Sequence, residues 1–200
     1  MREALSHYFT NDKNLKSETR IIKYNYDSVC FEFLTDNGVF SKSKIDTGSR
    51  ILVEEYLKNK PNIKSFLDVG CGYGFITIVL SKILDIKGIG LDINKRALDL
   101  ANKNAKLNQV SVTFKESDIY SNENGTYDLV ITNPPIRAGK KVVLEILNEA
   151  SCHLNKEGTL WAVIRKDQGA KSIIANLKNN FKIEIIAKNK GFYVFIAKKN

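Results

Sequence analysis

Apolar and polar residues alternate with period two over Arg20-Ile21-Ile22-Lys23-Tyr24-Asn25-Tyr26 and again over Ser28-Val29-Cys30-Phe31-Glu32-Phe33-Leu34. That alternation on either side of Asp27 predicts a β-hairpin. Thr35-Asp36-Asn37-Gly38 supplies turn chemistry, and Asp46-Thr47-Gly48-Ser49 precedes a helical pattern through Leu52, Val53, Tyr56 and Leu57 that Pro61 closes. From residue 63 onward β-like and α-like segments alternate with short connections. Strands are expected at 65–69, 88–92, 111–115, 127–132, 158–164, 182–187 and 191–197, with helices at about 74–84, 94–107, 140–154 and 169–180. Such alternation predicts an α/β fold whose mostly parallel sheet is covered on both faces. The last two strands are joined by Lys188-Asn189-Lys190-Gly191, too short for a crossover, so they pair antiparallel. The outline is a seven-stranded, mostly parallel sheet ending in an antiparallel hairpin. In front of it, residues 1–45 form a short N-terminal β-hairpin extension, and 46–200 form the main domain. Ser121–Thr126 reads as an exposed loop.

Composition narrows the class. Two hundred residues, 43% hydrophobic and 26% charged, make one ordinary globular domain with a possible appendage. The longest apolar candidates for a membrane span are cut by Lys82, Asp85 and Lys87. The first residues, Met1-Arg2-Glu3-Ala4-Leu5-Ser6-His7, have no apolar core of a secretory signal, so a cytoplasmic address is expected. Three widely spaced cysteines, Cys30, Cys71 and Cys152, read as buried or lining thiols, and no metal is expected. The net charge is +9, and residues 136–200 alone hold 13 basic against 5 acidic side chains. An anionic partner, nucleic acid above all, is one reading; a generally lysine-rich composition is the other.

Candidate chemistry gathers at the ends of the predicted strands. Phe66-Leu67-Asp68-Val69-Gly70-Cys71-Gly72-Tyr73-Gly74 is a buried strand running into a glycine turn and an apolar helix, a turn that serves several adenosine ligands. It lacks the third glycine of the dinucleotide GxGxxG pattern and carries an acid at the strand end. Asp92 ends the second strand about 20 residues further on, where a carboxylate accepts ribose hydroxyls; the alternative is an N-cap, a role Asn94 can fill unaided. Asp118 follows the third strand and can accept from an adenine amino group, with Ile93 and Ile119 on the ring faces. Asn133-Pro134-Pro135-Ile136 follows the fourth. Two prolines hold Asn133 extended, so that its amide oxygen and the Pro134 carbonyl can accept both hydrogens of a planar amine; Asn-Pro is also a plain turn signal.

Taken in order, these pieces resemble the class I S-adenosylmethionine-dependent methyltransferases, which share a Rossmann-like fold. Gly38-Val39-Phe40-Ser41-Lys42, Asp46-Thr47-Gly48-Ser49-Arg50, Asn133-Pro134-Pro135-Ile136-Arg137-Ala138-Gly139-Lys140 and the opening His7-Tyr8-Phe9 look, more narrowly, like the small bacterial members of the ribosomal RNA guanine-N2 methyltransferase family. That resemblance implies S-adenosylmethionine as cofactor and ribosomal RNA or the small ribosomal subunit as partner, with the protein acting as monomer or homodimer. By the same resemblance Asp68, Gly70 and Gly72 hold the methionine end, Thr47 and Gly48 cover it, Asp92 takes the ribose and Asp118 the adenine. Asn133 and Pro134, with Pro135 behind them, orient the target amine. Other acceptors with a planar NH2, adenine N6 or a protein glutamine amide, stay open, as does a non-catalytic RNA-binding or assembly factor; an NAD-dependent oxidoreductase is remote.

The sequence departs from the pattern in two places. Longer relatives carry a second methyltransferase-like domain that this chain is too short to contain. Many amine methyltransferases have an aromatic after Asn-Pro-Pro where this chain has Ile136, so the aromatic face for the base is expected among Phe40, Tyr73 and Tyr120. Arg137, Lys140, Lys141, Arg165 and Lys166 follow the fourth and fifth strands and are expected to bind phosphates, or to form only a solvated basic rim.

Overall fold

The computed structural model describes residues 18–41, 43–59 and 62–200; His7-Tyr8-Phe9, Lys42 and Pro61 lie outside them. The hairpin forms as β1 (Arg20–Tyr26) and β2 (Val29–Thr35), with Asp27 at the turn in a left-handed conformation, φ 48°. After α1 (Thr47–Lys58) the main sheet begins with β3 (Phe66–Val69), α2 (Phe75–Leu84), β4 (Gly88–Asp92), α3 (Lys95–Leu107), β5 (Thr113–Glu116) and β6 (Tyr127–Thr132). It continues through α4 (Lys140–Glu149), β7 (Leu154–Arg165), α5 (Ala170–Leu177), β8 (Phe181–Asn189) and β9 (Phe192–Lys199). Strand order is β5-β4-β3-β6-β7-β9-β8, with β9 antiparallel to both of its neighbours. The β8–β9 turn places Lys190 (φ 47°) and Gly191 (φ 80°) in succession, the two positive dihedrals that let a two-residue turn follow the strand twist.

Period-two burial sorts the sheet residues to its two faces. Leu129 and Ile131 of β6 join Phe66, Trp161 and Val163 in the core beneath α1 and α2, while Val130 faces Leu67, Val69, Val143 and Leu147 on the side of α4 and α5. The first core also takes in the hairpin. Phe33 meets Phe75 at 5.4 Å and Tyr73 at 6.0 Å between ring centroids, and Tyr24 meets Phe75 edge-on at 5.0 Å. The outer edge of β2 is covered by side chains rather than a strand. Asn104 of α3 accepts from the Leu34 N–H and donates to the Leu34 and Tyr73 carbonyls; Asn108 accepts from the Glu32 N–H and donates to its carbonyl. Two asparagines one helical turn apart thus stand in for a neighbouring strand and satisfy an edge that would otherwise invite aggregation. Arg96 adds an ion pair to Asp36, 2.6 Å between Nη2 and Oδ2.

Several boundaries differ from the pattern-based reading. The helix expected to 154 stops at Glu149, passes through a tight 3-10 turn over Ala150–His153, and Leu154 already pairs with Tyr127, so β7 begins four residues before the expected 158. A kinked register at Tyr127/Leu129 accommodates that early start, which alternation does not reveal. The third strand begins at Thr113 because α3 unwinds through Gln109, φ 55°, before pairing starts. The last helix ends at Leu177 rather than 180, in a turn where Asn180 donates to Leu177. Within 121–126, Glu123 is buried, since its carboxylate pairs with Lys115 at 2.8 Å and accepts from the Gly125 N–H. Of the cysteines, Cys71 is buried and Cys30 and Cys152 are exposed, so the buried reading holds for one of three. Among the described residues no helix is long and apolar enough to cross a membrane, and no cluster of His, Cys, Asp or Glu has metal-holding geometry.

Candidate functional site

Parallel pairing of β3, β4, β5 and β6 brings their carboxyl ends to one edge of the sheet, where the loops that follow them meet. After β3 the chain turns through Gly70, and the N–H groups of Gly70 and Cys71 both donate to the Leu91 carbonyl, at 2.8 and 2.9 Å, tying the turn to β4. Gly72 (φ 55°) has nothing within 4 Å of where a Cβ would stand, so the turn is open on its outer side. Gly74 (φ 89°) is the opposite case: a Cβ there would lie 2.9 Å from Phe114 and 3.2 Å from Ala101, and its absence lets α2 start against β5 and α3.

Asp68 is fully enclosed. Its Oδ2 accepts from the Thr77 hydroxyl at 2.6 Å and the Thr77 N–H at 3.1 Å, while Oδ1 is buried without a partner. Burial pushes this carboxyl up to about 7, against the pull of the two Thr77 bonds and with the help of nearby Asp92. Asp92 accepts from the Gly72 N–H at 2.7 Å on one oxygen and from the Asn94 N–H at 2.8 Å on the other. Burial raises it as well, with backbone N–H groups of Asn94, Gly72 and Ile93 working the other way. The cap of α3 is Asn94, which accepts from the Ala97 N–H, so the competing capping role for Asp92 is not realised. Asn94 also donates to the Gly38 carbonyl, which lays the Asp36–Phe40 segment along the rim near Ile93. Phe40 and Ile93 are 52% and 40% exposed, large apolar surfaces left open at that rim. Asp118 is exposed, and Ile119 beside it takes a left-handed φ of 52°, a strained choice for a β-branched residue.

Beyond β6, Pro134 is buried and Pro135 half-buried, with its Cδ 3.9 Å from the position a Gly70 Cβ would take. The Asn-Pro-Pro turn therefore lies directly against the glycine turn. The Asn133 Nδ2 donates to Asp46 Oδ2 and to Ser49 Oγ, both at 2.8 Å. Asp46 caps α1 by accepting from the Ser49 N–H at 2.8 Å; Thr47 and Gly48 are the first two residues of that helix. Gly48 is hemmed in: a Cβ would sit 3.0 Å from the Phe192 ring and 3.1 Å from Asp46 Oδ2.

Ile136 is half-buried in the 3-10 turn that follows Pro135; Arg137, Lys140, Lys141, Arg165 and Lys166 are all exposed. Lys140 donates to Ser172 at 2.6 Å, and Arg165 pairs with Asp167 at 2.7 Å and lies 5.8 Å from the centre of the Phe192 ring. Of the three aromatics considered for a base face, Tyr73 and Tyr120 are core residues; Tyr120 donates to the Ile146 carbonyl and stacks on His153. Phe40 alone of the three is open to solvent. Sequence reasoning passed over Asp46, Ser49, Thr77 and Phe192. The first two stood in a helix start and in a motif of the resemblance, with no side-chain role attached to either, and Phe192 reaches the site through a strand pairing that local pattern does not encode.

A ligand suited to this edge carries hydroxyl or ammonium donors for Asp92 and Asp68 and an apolar ring for Ile93 and Ile119. It also needs a stretch that fits over an open glycine turn. S-adenosylmethionine has those parts; the open space above Gly72 is where this structure has room, and Asp68 Oδ1 is a buried acceptor without a partner at the end of the same strand.

Residues 30–196 match the family described as the methyltransferase small domain. The Bacillus subtilis protein YbxB is 40% identical over 199 residues, 96% of this chain and 98% of its own length. A putative protein N5-glutamine methyltransferase of Methanocaldococcus jannaschii is 32% identical over 67% of this chain and 80% of its own. The ribosomal RNA small subunit methyltransferase C of Haemophilus influenzae is 32% identical over 80% of this chain and 49% of its own, so the chain spans about half of that relative. Among solved structures, a T. thermophilus 16S rRNA N2 methyltransferase in complex with AdoMet and guanosine superposes with a TM-score of 0.82 at 23% identity, covering 93% of this chain and 52% of that one.

Proposed function

Because this chain belongs to the methyltransferase small-domain family and uses S-adenosylmethionine, we propose that it methylates the exocyclic N2 amine of a guanine in small-subunit ribosomal RNA. The observation that carries the reading is the Asn133 carboxamide. Both of its N–H groups are taken by Asp46 and Ser49, so Oδ1 is left as an acceptor at the turn that touches the glycine cradle. The cofactor supplies a methyl group on a sulfonium, an electrophile that needs only a well-aimed lone pair.

Asn133 Oδ1 and the Pro134 carbonyl accept the two amine hydrogens and so turn the nitrogen lone pair into the cleft. Pro134 and Pro135 keep that pair of acceptors rigid. No general base is required, since the positively charged N-methylated amine first formed is acidic enough to release its proton to water. Catalysis is then chiefly alignment, an effect worth roughly 7 to 11 kcal/mol in well-oriented systems. Asp68, Gly70 and Gly72 hold the methionine end, with Thr47 and Gly48 closing over it. Asp92 accepts from the ribose hydroxyls, and Asp118, Ile93 and Ile119 hold the adenine.

An exocyclic amine inside a stacked helix is out of reach, so the acceptor guanine is one that RNA presents unstacked or that the protein draws out. Phe40 and Ile136 supply apolar surface for it, and Arg137, Lys140, Lys141, Arg165 and Lys166 hold the flanking phosphates. A ribosomal substrate places the protein in the cytoplasm. The relatives named for small-subunit RNA support RNA as the acceptor; the glutamine methyltransferase relative makes a protein amide the rival. The two separate when small subunits are incubated with the protein and methyl-labelled cofactor, and RNA is then divided from protein. Label in the RNA is expected; label confined to protein overturns the reading.

A further inference from the structure

We propose that Asp46 is a positioning residue that sets which way the Asn133 amide faces, with Ser49 holding its distance; this rests on Asn133 receiving the acceptor amine. An asparagine carboxamide is nearly symmetric in shape, and half a turn about its last bond exchanges oxygen for nitrogen. Only one of the two orientations offers an acceptor to an amine; the other presents N–H groups to N–H groups. The prolines fix the backbone of Asn133 but leave this choice open.

Asp46 makes it. Its carboxylate can only accept, so a flipped Asn133 would set oxygen against oxygen where a 2.8 Å N–H···O bond now stands. The Ser49 hydroxyl accepts from the same amide nitrogen at 2.8 Å, yet a hydroxyl can equally donate, so Ser49 by itself tolerates both orientations. Polarity is thus decided by Asp46 and reach by Ser49. The clamp is itself held. Asp46 Oδ2 accepts the capping N–H of Ser49 at 2.8 Å, and the Cβ-free Gly48 leaves just enough room between that oxygen and Phe192. A helix cap, ordinarily a matter of stability, is here shared with a side chain 87 positions away in the chain.

Substitutions separate the cap from the clamp. Asp46→Asn keeps the cap, and capping pins its oxygen toward Ser49, the same place that Asn133 donates to. Asp46→Ser also caps a helix but is too short to reach Asn133. The expected result is that Asp46→Asn retains turnover within about threefold, whereas Asp46→Ser loses about tenfold or more in kcat with KM for the cofactor and the melting temperature little changed. Ser49→Ala, which leaves the capped N–H in place, lowers kcat in the same way. In an Asn133→Ala background neither Asp46→Ser nor Ser49→Ala lowers the residual rate further, because each acts through Asn133. A drop of equal size in that background overturns the proposal, as does full activity of Asp46→Ser.

A readout free of turnover keeps this apart from the choice of acceptor. The Asn133 side-chain NH2 resonance, identified by its loss in Asn133→Ala, is expected to move in Ser49→Ala and in Asp46→Ser. If the wild-type protein methylates nothing in the small subunit, the proposed acceptor is wrong, and the resonance still decides the clamp: displaced signals support it and unmoved ones overturn it.

Discussion

On the proposed assignment of Asp68 to the methionine end, cofactor binding is a titration. Its carboxyl, enclosed and half satisfied, is raised from 3.8 to about 7 by burial, so the ligand-free protein near neutrality holds it as a mixture of acid and carboxylate. At about 1.4 kcal/mol per pH unit, ionising it in the folded state costs roughly 4 kcal/mol relative to the unfolded chain. The sign follows from the raised value: this group's stabilisation is complete below pH 4, declines as pH climbs, and is gone once pH passes through 7. A ligand ammonium close by reverses the preference and favours the carboxylate. Binding of S-adenosylhomocysteine, which keeps the amino group and lacks the sulfonium, should therefore expel a proton at low pH. The carboxyl of the free protein is about nine-tenths ionised at pH 8 and about one-tenth at pH 6, so affinity should fall about tenfold between them. Calorimetric titration in buffers of differing ionisation enthalpy counts the protons: close to one released at pH 6, close to none at pH 8. Asp68→Asn should flatten both. Equal affinity at the two pH values with no proton release, or a pH dependence that survives in Asp68→Asn, would refute the assignment of Asp68 to the methionine end.

Other consequences are more direct. Asn133→Ala should lower kcat by about a hundredfold or more while S-adenosylhomocysteine still raises the melting temperature; loss of that thermal shift would show that the residue serves cofactor binding instead. Asp92→Ala should weaken S-adenosylhomocysteine binding at least tenfold, since it removes the proposed ribose acceptor and frees the Gly72 N–H that Asp92 holds at 2.7 Å, and unchanged binding in calorimetry would contradict the role. Asn104→Ala strips partners from the Leu34 N–H and from the Leu34 and Tyr73 carbonyls, at about 1 kcal/mol each, so the melting temperature should fall by roughly 6 to 12 °C. A melting temperature within a degree of the original would mean that the Asn104 bonds add nothing net to the hold on β2. Replacing Arg137, Lys140 and Lys141 together with alanine should reduce the slope of log affinity for RNA against log salt by about two, and an unaltered slope would remove these residues from the phosphate path.

The features legible in the sequence were those carried by local chemistry. The glycine turn, the acids ending β3 and β4 and the Asn-Pro-Pro turn could be read in order because each depends on a few adjacent residues. The seven strands could be read because their apolar runs are short and separately bounded. What could not be read depended on contacts far apart in the chain. Asp46 stood in the sequence as a helix start and part of a family motif, and only the fold shows that its capping oxygen meets Asn133. Asn104 and Asn108 looked like the polar face of a helix and instead complete the edge of β2. Tyr73 and Tyr120 lay near the right loops, but their side chains turn into the core, a choice that neighbouring residues do not encode. Leu154 belonged by pattern to the end of a helix and by tertiary pairing to the start of β7.

The central claim, methyl transfer to guanine N2 in small-subunit RNA, is tested most directly on small ribosomal subunits from a strain lacking this gene. They are incubated with the pure protein and isotope-labelled S-adenosylmethionine, and the RNA is digested for nucleoside mass spectrometry. The account predicts label in N2-methylguanosine. Label in N6-methyladenosine, or RNA that stays unlabelled while a protein glutamine gains the methyl, would contradict it.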